Sequence, residues 1–217
     1  MLKAVLFDMD GVLVNTEPEY VRTELRLARR NGIPLSGRRQ KNYRGTNAAD
    51  MWAELTEEYG LKADPEEITR SEYAHMAAYY REGALRPVRA SVRLLKRCAQ
   101  AGLKVAIATS SSAENAENVV RRLGLGPYVQ AISVAEAAGR SKPAPDVFLL
   151  AARLLSVSSG ECVVIEDAEK GVEAARAAGM KAVGLLARGG GQDLSQADIV
   201  VRSLRGLSVE TLEKILE

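Results

Sequence analysis

The sequence predicts an α/β fold: a doubly wound, Rossmann-like parallel sheet with a small all-α domain inserted after the first strand. Three observations carry this. Short runs rich in Val, Ile, Leu and Ala recur along the chain, and they are continuous in apolar residues, as strands covered on both faces are. Helical patterns follow these runs, the alternation that builds parallel sheets. One interval, from Asn15 to about Glu82, breaks the rhythm and reads as helices only.

"AVLF" (4–7) is the first strand. "KVAIAT" (104–109) precedes a helix with Ala116, Val119, Val120 and Leu123 on one side, and Gly124 is its stop. "AISV" (131–134) precedes a helix with Val147, Leu150, Ala151 and Leu154 on one face. "CVVI" (162–165) precedes "AEKGVEAARAAG", and "KAVGLL" (181–186) follows. "DIVV" (198–201) and a helix from about Ser208 complete the unit. In the helical interval Thr16-x-x-Glu19 reads as a capping box. A second helix carries Ala48, Met51, Trp52, Leu55 and Tyr59 on one side, and a third carries Tyr73, Met76, Ala77 and Tyr80. The expected division is an α/β core of residues 1–14 and 83–217 and a helical insert of 15–82. Val14-Asn15 and Glu82-Gly83-Ala84 are the expected hinges, with Gly83 easing unusual backbone angles.

The length, 217 residues, suits one large domain or a domain with a smaller insert. Thirty Lys and Arg against 28 Asp and Glu nearly cancel, so nothing calls for a nucleic acid or a membrane as partner. "RLARR" (26–30) and "GRRQK" (37–41) read as solvated faces. Cys98 and Cys162 read as small core residues in a reducing compartment. The single histidine, His75, excludes a multi-His metal site and argues against a Ser-His-Asp triad. Asp8 and Asp10 interrupt the N-terminal apolar run, which does not read as a signal peptide. No stretch approaches the ~20 apolar residues of a membrane span. The expectation is a cytoplasmic protein, a monomer or weak dimer. "RGGGQD" (188–193) lacks the Gly-Lys-Ser/Thr ending of a nucleotide loop and reads as a surface turn.

Ligands of open parallel sheets bind beyond the carboxyl ends of the strands. Those ends carry Asp8-Met9-Asp10-Gly11, Thr109-Ser110-Ser111, Ser141-Lys142-Pro143 and Glu166-Asp167. Carboxylates suit a hard divalent cation such as Mg²⁺. The lysine, the hydroxyls and the backbone N–H groups at the start of the helix after Thr109 suit a phosphoryl group. Ser111-x-x-Glu114 reads as the capping box of that helix. Buried carboxylates are costly unless paired, and a cation accounts for Asp8 and Asp10 in an otherwise apolar run.

Asp8-x-Asp10-Gly-Val, the Thr109 strand end, "SKPAPDVF" and "IEDAEKG" resemble the four motifs of the haloacid dehalogenase-like hydrolase superfamily. The helical insert resembles that superfamily's small α-helical cap. Motif order and "DMDGVL…TEPEY" resemble most the β-phosphoglucomutase and sugar-phosphate phosphatase branch, across essentially the whole chain. The resemblance implies a Mg²⁺-dependent phosphatase acting on a small phosphorylated metabolite, a sugar phosphate above all, through an aspartyl-phosphate. Asp8 would be the nucleophile and Asp10 the general acid and base. Thr109, Ser110 and Lys142 would hold the phosphoryl group. Asp8, the Asp10 main-chain carbonyl and Asp167 would bind the metal, with Glu166 a further ligand or a support behind them. Two carboxylates two residues apart on a strand point to the same side. Specificity would lie in the cap, where Tyr20, Arg44, Gly45 and Thr46 are candidates alongside Tyr73, His75 and Tyr80.

Where the mutase has a cap histidine and a phosphate-gripping arginine, this sequence has Tyr20 and Ala48. That favours hydrolysis over a mutase reaction, which remains the alternative. Asp10 and the Glu166-Asp167 pair speak against a 2-haloacid dehalogenase, since halide displacement by a carboxylate needs no Mg²⁺. The insert and the placement of Asp8 speak against a signalling receiver domain.

Overall fold

The computed structural model describes residues 1–40, 43, 48–186 and 191–216. Arg44, Gly45, Thr46 and the first half of the glycine-rich turn (188–190) fall outside the described residues. In chain order the elements are β1 (Ala4–Phe7), α1 (Glu17–Arg30), α2 (Gly37–Gln40), α3 (Ala48–Glu58), α4 (Pro65–Glu82), α5 (Arg89–Gln100), β2 (Lys104–Thr109), α6 (Ala113–Arg122) and β3 (Ala131–Val134). Then follow α7 (Ala135–Ala138), α8 (Asp146–Leu154), β4 (Cys162–Glu166), α9 (Glu169–Ala177), β5 (Lys181–Leu185), β6 (Ile199–Val201) and α10 (Val209–Lys214). Two compact units result: Met1–Asn15 with Arg86–Glu217, and Thr16–Leu85.

The first unit is built on one six-stranded sheet, ordered β3-β2-β1-β4-β5-β6, with every pair parallel. All four residues of β1 and all five of β4 are buried, which is why their sequences are unbroken apolar runs up to Glu166. The chain leaves β1 toward β2 and β3, then returns to the other side of β1 at β4. β1 is therefore the switch point, where the crevice for ligands opens at the carboxyl ends. Phe7, the last residue of β1, lies level with Ile107 of β2 and Ile165 of β4, two residues and one residue before those strands end.

The packed layer against this sheet includes Val147, Phe148, Ala151, Ala152 and Leu155, together with Val172, Ala174 and Ala175 of α9. The predicted face of α8 is corrected here: Leu154 is 52% exposed, while Phe148 is fully buried. Burying a phenylalanine of this kind contributes roughly 2–3 kcal/mol. Gly124 has φ +61 and ends α6 in the left-handed region, where a side chain would be strained. α5, absent from the sequence-based element list, buries Leu94, Leu95 and Cys98.

The helical unit has its own core of Leu27, Ala28, Ile33, Tyr43, Met51, Trp52, Leu55 and Ile68. α4 begins at Asp64, whose side chain accepts the Glu66 N–H at 2.9 Å, with Pro65 in the first turn. Three sequence expectations are corrected in this unit. Tyr73 is 53% exposed, and the buried face of α4 runs instead through Ile68, Thr69, Glu72, Met76 and Tyr80. Thr16 makes no side-chain capping bond; Glu19 instead meets His75 Nε2 at 3.0 Å and also pairs with Arg22. Gly83 has φ −64, an ordinary angle. It is glycine for space: a Cβ there would stand 2.4 Å from the Tyr79 ring and 2.8 Å from the Tyr79 carbonyl oxygen.

Candidate active site

β1 stops at Phe7, so a turn, not strand alternation, sets the direction of Asp8 and Asp10. The Asp8 N–H donates to the Ile165 carbonyl at 3.0 Å and ties the nucleophile candidate to β4. Gly11 follows with φ +84, and its N–H donates to the Val14 carbonyl at 2.7 Å. Only glycine adopts that angle readily. A Cβ at Gly11 would also stand 1.9 Å from Asp167 Oδ2, so the turn and the end of β4 are in close approach.

Lys142 lies at the centre of the cluster. Its Nζ donates to Asp8 Oδ1 and to Glu166 Oε1, both at 2.5 Å, and to the Ala108 carbonyl at 3.3 Å. The Phe148 ring lies beneath it, 4.9 Å from Nζ to centroid. The other Glu166 oxygen accepts the backbone N–H groups of Asp167 and Ala168 at 2.7 and 2.9 Å. Gly171 of α9 lets the helix pass this carboxylate, since a Cβ there would meet Glu166 Oε1 at 1.9 Å. Phe148 and Gly171 are contributors that motif reading does not single out, although both lie inside the quoted motifs.

Charge in this cluster is unbalanced. Burial, and next the Lys142 ammonium opposing it, leave Asp8 pushed up to about 8, with Glu166 and Asp10 adding to the rise. Burial and the Glu166 and Asp8 charges hold Asp167 well above the usual carboxylate range, against the pull of Lys142. Burial pulls Lys142 down, but Asp8 and Glu166 outweigh it and hold the ammonium above the usual lysine range. Oxygen atoms of Asp8, Glu166 and Asp167 all lie within 4.8 Å of one another. One ammonium cannot neutralise these three carboxylates and Asp10, and an all-oxygen set of this kind fits a hard divalent cation. Asp8, Asp167 and Glu166 are the side chains that could hold it, with Glu166 already engaged by Lys142 and two backbone N–H groups. The Asp10 side chain is not among the clustered oxygens.

β2 ends in Thr109, which is buried, and its Oγ1 accepts the Ser111 N–H at 3.0 Å. Ser110 is exposed. The capping expectation moves by one residue: Ser112 caps α6, accepting the Asn115 N–H at 3.3 Å. Ser111 turns instead to Asp10 and donates to its Oδ2 at 2.7 Å. Tyr20 lies on α1 in the helical unit. Cys98 and Cys162 are free and buried, and burial pushes their thiols up to about 12 and about 11, which removes them as nucleophiles. Among the described residues no helix is long and apolar enough to cross a membrane.

The chain is 31% identical to the β-phosphoglucomutase of Bacillus subtilis over 98% of its length and 95% of that protein's. It is 33% identical to hexitol phosphatase A of Escherichia coli, over 95% of this chain and 94% of the relative. A crystal structure of β-phosphoglucomutase from Clostridium difficile superposes with a TM-score of 0.81 at 25% identity, covering 100% of this chain and 97% of that one. Mutases and phosphatases of phosphorylated sugars are thus both among its relatives. The haloacid dehalogenase-like hydrolase model matches residues 2–179, which takes in the Asp8 turn, the Thr109 strand end, Lys142 and the Glu166-Asp167 pair, and the chain belongs to that family.

Proposed function

We propose that this enzyme is a Mg²⁺-dependent phosphatase that hydrolyses a small phosphorylated sugar or sugar alcohol through an aspartyl-phosphate on Asp8. The observation that carries the reading is the bridge from Lys142 to Asp8 and Glu166 at 2.5 Å each, beside Asp167. A carboxylate attacking a phosphate dianion is repelled, and Lys142 together with a divalent cation held by the surrounding carboxylates would offset the repulsion. In the first step an Asp8 oxygen bonds to phosphorus, the bond to the leaving oxygen breaks, and Asp10 gives that oxygen its proton. In the second, water attacks phosphorus, Asp10 takes the water's proton, and the bond to Asp8 breaks to free phosphate. Thr109 and Lys142 steady the phosphoryl oxygens, with Ser110 beside them. When bound by Asp8, Asp167, Glu166 and the Asp10 carbonyl, the cation would neutralise charge on the transferring group.

Hydrolysis is favoured over a mutase reaction because Tyr20 and Ala48 stand where the resemblance places the mutase's cap histidine and arginine. A phenol, with an ordinary pKa of about 10, relays protons poorly near neutral pH, and Ala48 offers no charge to a second phosphate. Phosphate release from a panel of sugar, hexitol and nucleoside phosphates tests the reading. The second reading, a mutase, has the Bacillus subtilis relative in its favour. β-Glucose 1-phosphate supplied with catalytic glucose 1,6-bisphosphate separates the two. The proposal expects free phosphate; glucose 6-phosphate formed rapidly with negligible phosphate would overturn it.

A further inference from the structure

Ser111 is left without a role by the site as described so far. Helix capping belongs to Ser112. The Ser111 main chain is fixed by its N–H bond to Thr109 Oγ1 at 3.0 Å, and its hydroxyl reaches a carboxyl 101 residues away in sequence, Asp10 Oδ2, at 2.7 Å. The end of β2 thus grips a side chain that hangs from the turn after β1. An aspartate on a turn has several staggered orientations, and a proton donor contributes only when it points at the atom it protonates. The bond also distinguishes the two carboxyl oxygens. Oδ2 is the one that accepts from Ser111.

We infer that Ser111 is a positioning residue for Asp10, aiming Oδ1 at the leaving oxygen and keeping Oδ2 as the anchored acceptor. The inference rests on the reading of Asp10 as the general acid. It predicts a defect that grows with the leaving group's need for a proton.

The test compares phenyl phosphate with p-nitrophenyl phosphate, whose leaving group departs readily as the anion. The readout is kcat/KM, which reports the first transfer. Ser111→Ala should lose about tenfold on phenyl phosphate and less than about twofold on p-nitrophenyl phosphate. Ser111→Thr keeps the hydroxyl and should stay within about twofold of the parent on both. The p-nitrophenyl rate doubles as the control for folding. Equal losses on both substrates would mean Ser111 touches the phosphoryl group or merely supports the loop, and would overturn the inference, as would no loss on phenyl phosphate. Asp10→Asn run in parallel separates the two levels. If it shows the leaving-group dependence and Ser111→Ala does not, the inference alone falls; if Asp10→Asn shows none, the acid assignment falls and the inference with it.

Discussion

In the sheet unit Asp8 and Glu166 are buried against an ammonium, Lys142. In the helical unit Glu24 and Glu72 are buried against neutral donors, the Gln40 amide at 2.6 Å and the Trp52 indole at 2.7 Å. Asp8 in the first unit and both glutamates in the second titrate above the ordinary range, and burial is the leading cause for each. What differs is the company they keep. Among the described residues, three carboxylates bring oxygens within 4.8 Å of one another only at the sheet rim. Each buried glutamate in the helical unit instead has its own neutral donor. A raised carboxylate is therefore not a mark of chemistry by itself; convergence with a cation and with further carboxylates at a strand end is.

The largest expected effect separates the two sets outright. Asp8→Asn should lower turnover by about 10⁴-fold or more with the fold intact, because the amide lacks the nucleophilic charge. Retention of a tenth of the parent rate on a pure sample would remove Asp8 as nucleophile. Glu72→Gln, in the other set, should leave turnover within about threefold.

Chelation comes next. EDTA should stop phosphate release and added Mg²⁺ restore it, since the rim carries more carboxylate than Lys142 can balance. Full activity in chelator would show that Lys142 suffices.

Two glycines of the sheet unit sharpen the same contrast within one fold. Gly171→Ala drives a methyl into Glu166, whereas a Cβ at Gly160 meets nothing within 4 Å. Gly171→Ala should cost about 2 kcal/mol of stability, raise the Mg²⁺ concentration needed for half activity, and slow turnover. Gly160→Ala should change none of these. Equal behaviour in denaturation and Mg²⁺ titration would mean that α9 gives way without disturbing the carboxylate.

In the helical unit the expected effect falls on stability and not on turnover. Burial first, opposed by the Gln40 bond and reinforced by Glu72 and Glu17, pushes Glu24 up to about 7, above its ordinary 4.5. The folded state therefore holds this proton more tightly than the unfolded chain. Its contribution to stability is greatest below about pH 4.5 and is lost as pH climbs through about 7. Glu24→Gln removes the charge while keeping an oxygen for Gln40. It should gain about 1–3 kcal/mol at pH 8 and little at pH 4.5, by denaturant unfolding at both. A loss at pH 8 would show that the ionised glutamate is the favoured form.

The strands' positions along the chain and the polar residues at their ends were legible because both follow from strong local signals. Buried parallel strands are written as unbroken apolar runs, and carboxylates at their ends stand out against them. Helical faces were less legible. Tyr73 and Leu154 fit an apolar stripe, yet both are exposed, because the packing partner selects a face about one residue away. Ser111 and Ser112 are chemically identical neighbours, and only the bend after Thr109 decides which one caps α6 and which meets Asp10. Gly83 looked like a source of backbone freedom, but its constraint is the Tyr79 ring, a contact no spacing rule expresses. Phe148 was visible only as part of "SKPAPDVF"; that its ring lies under Lys142 depends on the loop before α8.

The central claim is that Asp8 carries the phosphoryl group. Enzyme quenched during turnover with p-nitrophenyl phosphate and Mg²⁺, then reduced with borohydride, should yield a peptide with homoserine at position 8, read by mass spectrometry. An unmodified Asp8 with homoserine at Asp10, or at no aspartate, would contradict the account.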